Sequence, residues 1–174
     1  MARGGAMRLI GLAGWSGAGK TTLLRRLIPC LVGRGITVST VKHAHHGFDV
    51  DQPGKDSWEH RQAGAAQVLV SSARRWALMT ELRGAPEPDL RFLLSRLSAV
   101  DLVLVEGFKR EPHPKIEVHR AENGKPWLHP GDPAILAAAS DVPPPGELPW
   151  VPLDDTARVA DLVLRHAADI AAYR

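Results

Sequence analysis

The sequence predicts an α/β fold, a mostly parallel sheet with helices on both faces and a β-hairpin extension. Three observations lead there. Strand-like runs alternate with stretches of helical periodicity along the chain. Two of the runs, residues 9–13 and 100–107, are almost continuously apolar, the pattern of strands covered on both faces. The first run also passes directly through a glycine-rich turn, Gly14-Trp15-Ser16-Gly17-Ala18-Gly19-Lys20-Thr21, into a helical stretch.

That turn fits G-x-x-x-x-G-K-[ST] at every fixed position. Strand, turn and helix start are the setting the motif requires, so the fold class narrows to that of the P-loop nucleoside triphosphatases. The glycines let successive backbone N–H groups turn toward phosphate oxygens, and the helix adds the partial positive charge of its N-terminus. Gly14, Ser16, Gly17, Ala18, Gly19, Lys20, Thr21 and Thr22 are the expected phosphate-binding residues. Lys20 should reach the β- and γ-phosphates, and the Thr21 hydroxyl should ligate Mg²⁺.

The remaining elements follow in order. A helix is expected over residues 20–33, with Leu23, Leu24, Leu27, Ile28 and Leu31 inward, Pro29 inside it, and Gly33 and Gly35 ending it. Residues 36–42 are rich in β-branched side chains and read as a strand, whose return after one helix implies a parallel pair. The polar stretch that follows, with His43, His45, His46, Asp49, Asp51 and Asp56, reads as a long functional loop. Asp56 or Ser57 is the expected cap of a short helix ending near Gly64.

Residues 67–71 and 76–80 are strand-like on either side of a short polar turn, a hairpin or a pair of neighbouring strands. Pro86 to Asp89 should open a helix carrying Leu90, Leu93, Leu94 and Leu97. The apolar strand at 100–107 belongs in mid-sheet. Alternation in Lys115-Ile116-Glu117-Val118-His119 suggests a strand with one solvated face. Asn123-Gly124 is expected in a hairpin turn, residues 134–139 in another buried strand, and residues 148–151 in an edge strand with prolines. Asp154, Asp155 and Thr156 should cap the last helix, with Val159, Leu162, Val163 and Ile170 on one face.

The chain's 174 residues suit a single domain, expected over residues 8–174 after a disordered tail of residues 1–7. A composition 44% hydrophobic and 24% charged is that of a soluble globular protein. No apolar run approaches the ~20 residues that span a bilayer, and the N-terminus lacks the apolar core of a signal peptide. The single Cys30 excludes an internal disulfide and reads as core filler, so a cytoplasmic location is expected. The net charge of +3 carries no dense basic stripe with interleaved aromatics, so neither nucleic acid nor membrane is an expected partner.

Ligands of such sheets sit beyond the carboxyl ends of the strands. Glu106 ends the apolar strand there and is the candidate acid, as a direct or water-mediated Mg²⁺ ligand or as the group that orients the attacking group. Asp51 is the first candidate for a second magnesium contact. His43, His45 and His46 lack a fourth ligand for a closed zinc site, since Cys30 lies in a helix. They can bind an anionic substrate or be solvated. Lys109, Arg110 and Lys115 can hold a phosphorylated ligand or be solvated cations.

Residues 14–22, Thr40-Val41-Lys42-His43-Ala44-His45-His46, Asp51-Gln52-Pro53-Gly54-Lys55-Asp56-Ser57, Ala63-Gly64-Ala65, Val105-Glu106-Gly107-Phe108-Lys109 and Pro114-Lys115-Ile116-Glu117-Val118, in this order, resemble the MobB family. That resemblance spans roughly residues 8–120. It implies a homodimeric protein that binds GTP with Mg²⁺, has weak GTPase activity, and assists the attachment of GMP to molybdopterin. The nucleotidyl transfer would belong to a MobA-like partner, and the molybdopterin cofactor would be a further ligand. Carried over by position, Lys20 and Glu106 are the catalytic pair, Thr21, Glu106 and one loop aspartate hold magnesium, and the histidine loop faces the cofactor or a second subunit.

The chain has no N-K-x-D motif, so guanine selectivity needs another acid. Asp141, following a buried strand at the rim, can accept from guanine N1 and N2 or be a plain loop aspartate. Two other functions fit the loop: a P-loop kinase of a small metabolite, and a nucleotide-gated adaptor without significant catalysis.

Overall fold

The structure of the chain, a computed structural model, describes residues 6–44 and 47–173. Residues 1–5 of the expected tail, and His45 and His46 of the histidine loop, lie outside the described residues. The chain divides into two compact units, residues 1–43 with 90–174 and residues 44–89.

In the first unit, strand β1 (Arg8–Ala13) leads through the glycine-rich turn into helix α1 (Lys20–Gly33), and strand β2 (Val38–Lys42) follows. The second unit holds helix α2 (Asp56–Gln62) and the hairpin β3 (Gln67–Ser71) and β4 (Trp76–Thr80). The chain returns with helix α3 (Leu90–Leu94), strands β5 (Leu102–Glu106), β6 (Lys115–His119), β7 (Ile135–Ser140) and β8 (Trp150–Pro152), helix α4 (Thr156–His166) and the two-residue strand β9 (Ala168–Asp169).

The large sheet runs β2-β5-β1-β6-β7-β8 with each of these neighbours parallel, and β9 pairs antiparallel with β1. Side-chain alternation divides its core in two. Ile10, Leu12, Leu102, Leu104, Ile116 and Val118 face α1 and α4, and their cluster includes Leu23, Leu27, Leu31, Val159 and Val163. Leu9, Val103 and Val105 face the other way, against Leu90 and Leu94 of α3. Each fully buried leucine or isoleucine contributes about 1.5–3 kcal/mol. Helix α1 continues through Pro29, and Cys30 packs at the edge of the first cluster.

Four local expectations are corrected. Strand β6 has no solvated face: Lys115, Glu117 and His119 are buried with Ile116 and Val118. This is possible between β1 and β7 because each polar side chain finds a partner from the following segment. Lys115 Nζ donates to Asp132 Oδ2 at 2.9 Å and to the Lys109 carbonyl at 3.2 Å. Glu117 accepts from the Leu128 and His129 amides at 2.7 and 3.0 Å, and His119 stacks on Trp127 at 3.9 Å.

The last helix ends at His166, since the backbone turns extended at Ala167 to let β9 join β1. Ile170 is therefore buried on the opposite face of the sheet, in the cluster with Leu9. Asp56 and Ser57 are helical residues of α2, whose N-cap Lys55 makes no side-chain cap bond; the Ser57 hydroxyl instead donates to Asp51 at 2.8 Å. Asn123 closes a 3-10 turn, Ala121–Asn123, because the strand that follows pairs parallel and no hairpin forms. The expected cap of α4 is present, Asp155 accepting from the Arg158 amide at 3.1 Å.

Candidate functional site

The glycine-rich turn sits at the carboxyl end of β1, between β5 and β6. A Cβ at Gly14 (φ +154°) would stand 2.5 Å from the Val118 carbonyl, so the close approach of β6 admits only glycine there. Gly19 (φ +93°) is the N-cap of α1 and offers no side-chain acceptor, and the first turn carries no acid. The first amides of a 14-residue helix thus point toward the turn without a side chain to satisfy them. Thr21 and Thr22 are exposed at this end, and Ala18 is buried under it.

Lys20 folds back over the loop. Its ammonium donates to the Gly14 and Trp15 carbonyls at 2.8 and 2.9 Å. Burial pulls its pKa below the ordinary lysine value, Glu106 opposes that shift, and Lys109 and Lys42 add to it. Three ammonium groups and one carboxylate therefore share one rim, a positive field suited to a polyanion.

Glu106 lies at the end of β5, in register with Leu12 of β1 and Lys42 of β2. Its side chain is 15% exposed, and among the described residues its ion pair is to Lys42, at 3.9 Å. The backbone behind it is constrained. A Cβ on Gly107 (φ +91°) would meet the His43 Cβ at 2.7 Å, and Phe108 adopts a positive φ of 49°. Such conformations at a non-glycine cost about 1–3 kcal/mol and persist where the surroundings enforce them. Here the Phe108 ring lies against His43 at 5.1 Å, and the His43 amide donates to the Glu106 carbonyl at 2.9 Å.

Residues that sequence reasoning left out of the site brace its other side. The segment after β6 is tied to the loop twice: the Trp15 indole donates to the Pro126 carbonyl at 2.7 Å, and the Asn123 amide donates to the Ser16 carbonyl at 3.0 Å. Asp141 accepts from the Ala121 amide at 2.9 Å, so one oxygen of this guanine candidate holds the same segment. The available signal was position, since this segment leaves a strand adjoining β1. Of the three candidate cations, Lys115 is withdrawn into its buried pair with Asp132, whereas Lys109 stands over the Trp15 ring at 5.3 Å.

In the second unit, Asp51 Oδ1 accepts from Ser57 Oγ at 2.8 Å and the Gln52 amide at 3.0 Å, and Oδ2 faces Arg61 at 3.4 Å. Arg61 also binds Asp49 at 2.7 Å and Glu81 at 2.8 Å. The Arg61 hydrogen bond holds the Asp49 carboxyl below its ordinary pKa. Among the described residues, no group of three or more His, Cys, Asp or Glu could hold a metal ion by itself.

Comparison with known proteins accords with this arrangement. Residues 9–141 match the profile of the family described as molybdopterin guanine dinucleotide synthesis protein B, MobB. A molybdopterin-guanine dinucleotide biosynthesis adapter protein of Escherichia coli K12 is 50% identical over 159 residues, covering 90% of this chain and 91% of its own length. The adapter protein of the same name from Haemophilus influenzae is 45% identical, over 89% of this chain and 86% of its own. A crystal structure of molybdopterin-guanine biosynthesis protein B superposes with a TM-score of 0.69 at 29% identity, covering 90% of this chain and 98% of that one. With the family profile matching most of the chain and half the residues shared with a relative of almost equal length, this chain belongs to the MobB family.

Proposed function

We propose that the chain is a GTP-binding accessory protein, with weak Mg²⁺-dependent GTPase activity, in the attachment of GMP to molybdopterin. The observation that carries the reading is Lys20, held at the loop by two of its carbonyls beside Glu106. A triphosphate in the loop meets this ammonium, the amides of Ser16, Gly17, Ala18, Gly19, Thr21 and Thr22, and the helix N-terminus. The residues fit magnesium: the Thr21 hydroxyl and the Glu106 carboxylate are hard oxygen donors, and Glu106 would hold the ion directly or through water. Bound Mg²⁺ would neutralise charge on the terminal phosphates. Lys20 would stabilise charge developing on the transferred group, and Glu106 would fix the ion or orient the attacking water.

Asp51 is the proposed second magnesium contact, its carboxylate oxygens being hard donors. Asp141 is the proposed acceptor for guanine. The relatives are named adapter proteins, which favours an accessory role over a metabolite kinase. The proposed partners are a MobA-like nucleotidyltransferase, molybdopterin and a second copy of this chain. The hairpin supports the homodimer, since Leu69, Val70, Trp76 and Leu78 are 61, 43, 67 and 49% exposed. No helix of the described residues is long and apolar enough to cross a membrane, and the proposed location is the cytoplasm.

The test is a titration of GTP against ATP at equal Mg²⁺. GTP should bind at least severalfold tighter, and equal or reversed affinities would refute the guanine-nucleotide reading. Lys20→Ala should weaken GTP binding by about 100-fold, since the phosphate chain loses its main cation at roughly 1.5–3 kcal/mol per charged hydrogen bond.

A further inference from the structure

The rim has two unlike sides. On the β5–β2 side stand Glu106 and Lys42, the carboxylate and cation suited to the metal-bridged end of a triphosphate. The rest of a nucleotide must then run the other way, over the segments that leave β6, β7 and β8. Arg120 is the first residue after β6 on that side. Its Nε comes within 3.2 Å of the Cβ position of Gly19, so the guanidinium lies against the start of α1.

Little holds Arg120 there. Among the described residues its guanidinium has one ion pair, to Asp154 at 3.6 Å, and Asp154 is itself shared with Arg26 at 3.2 Å and 71% exposed. A guanidinium has five N–H donors, so most of this one's capacity stays open. Its neighbours are fixed more firmly: Ala121 by Asp141, and Asn123 by the loop carbonyl of Ser16. The fold thus presents one under-used planar cation beside the phosphate loop, on the side away from the magnesium ligands.

We propose that Arg120 is a nucleoside-contacting residue, its guanidinium plane forming the shelf on which the purine of the bound nucleotide lies. This deepens the GTP-binding reading and rests on it. Stacking of a base on an arginine plane needs the delocalised fork and not charge alone, so lysine cannot replace it. Asp154 holds the plane in place when the shelf is empty.

The experiment compares Mg²⁺·GTP and Mg²⁺·tripolyphosphate binding by calorimetry for the wild type, Arg120→Ala and Arg120→Lys. Arg120→Ala should weaken GTP at least tenfold and leave tripolyphosphate unchanged. Arg120→Lys, which keeps the pair with Asp154 and serves if the alanine variant does not fold, should recover less than half of the loss on a logarithmic scale. Unchanged GTP affinity in either variant overturns the proposal. So does an equal loss for tripolyphosphate, which would make Arg120 a phosphate contact, or full rescue by lysine. Wild-type protein that binds tripolyphosphate but not GTP, or neither ligand, overturns the parent reading along with this one, whereas wild-type binding of both with unaffected variants overturns this one alone.

Discussion

Glu106 and Glu117 stand on the two strands that flank β1, one on each side, and the fold treats them in opposite ways. Glu117 is fully buried and accepts from the amides of Leu128 and His129 and from the His129 ring. Glu106 is partly exposed at the strand end, and among the described residues it has one ion pair, of 3.9 Å. The first carboxylate is saturated by the protein and fixes the path of the chain after β6. The second keeps free acceptor capacity, beside a lysine resting on loop carbonyls. A carboxylate saturated by buried and backbone partners on one flank of a strand serves the fold, and one with open acceptor capacity at the rim is available to a ligand.

The comparison can be broken most forcefully at Glu117. Glu117→Ala leaves two partly buried amides without their acceptor, at about 1–3 kcal/mol each, so urea unfolding should show a loss of about 4 kcal/mol. A loss under about 1 kcal/mol would mean that this flank is not held by its carboxylate. Next in size is an acid effect on the same flank. His113, just before β6, is fully buried, neither ring nitrogen has a partner among the described residues, and burial lowers its pKa from 6.5 to about 4.

The unfolded chain binds this proton first as pH falls, so the contribution is intact above pH 6.5 and drains away between 6.5 and about 4. The total is about 3 kcal/mol at 1.36 kcal/mol per pKa unit, and His113→Leu should flatten the stability profile over that window. The smallest effect belongs to the rim. Lys42→Ala breaks only an exposed, long ion pair and should change stability by less than about 0.5 kcal/mol, measured by the same unfolding assay. A larger loss would make Glu106 structural as well.

What the sequence made legible was local. The phosphate loop, α1, the apolar strands β1 and β5 and the capped start of α4 each announce themselves within a few residues. Strand β6 did not, because what makes Lys115 and Glu117 buriable lies 17 and 11 residues downstream, at Asp132 and Leu128. By period alone the strand looked half solvated. The bracing of the loop by Asn123 and Trp15 was hidden for the same reason, since both contacts span more than 100 residues. The place of Glu106 at the end of β5 was readable because an acid ending an apolar strand before a glycine is itself a local signal. Asp51 was readable only as an acid in a polar loop, and its Arg61 and Ser57 partners came with the fold.

The most direct test measures GTP affinity with and without Mg²⁺ in the wild type and in Glu106→Gln, alongside urea unfolding of both. Magnesium should tighten GTP binding at least tenfold in the wild type. In Glu106→Gln most of that gain should vanish while stability stays within about 1 kcal/mol, as expected for a partly exposed group whose pair with Lys42 is long. An undiminished magnesium effect in Glu106→Gln, or a loss that merely follows unfolding, would contradict the assignment of Glu106 as the carboxylate kept open for a ligand.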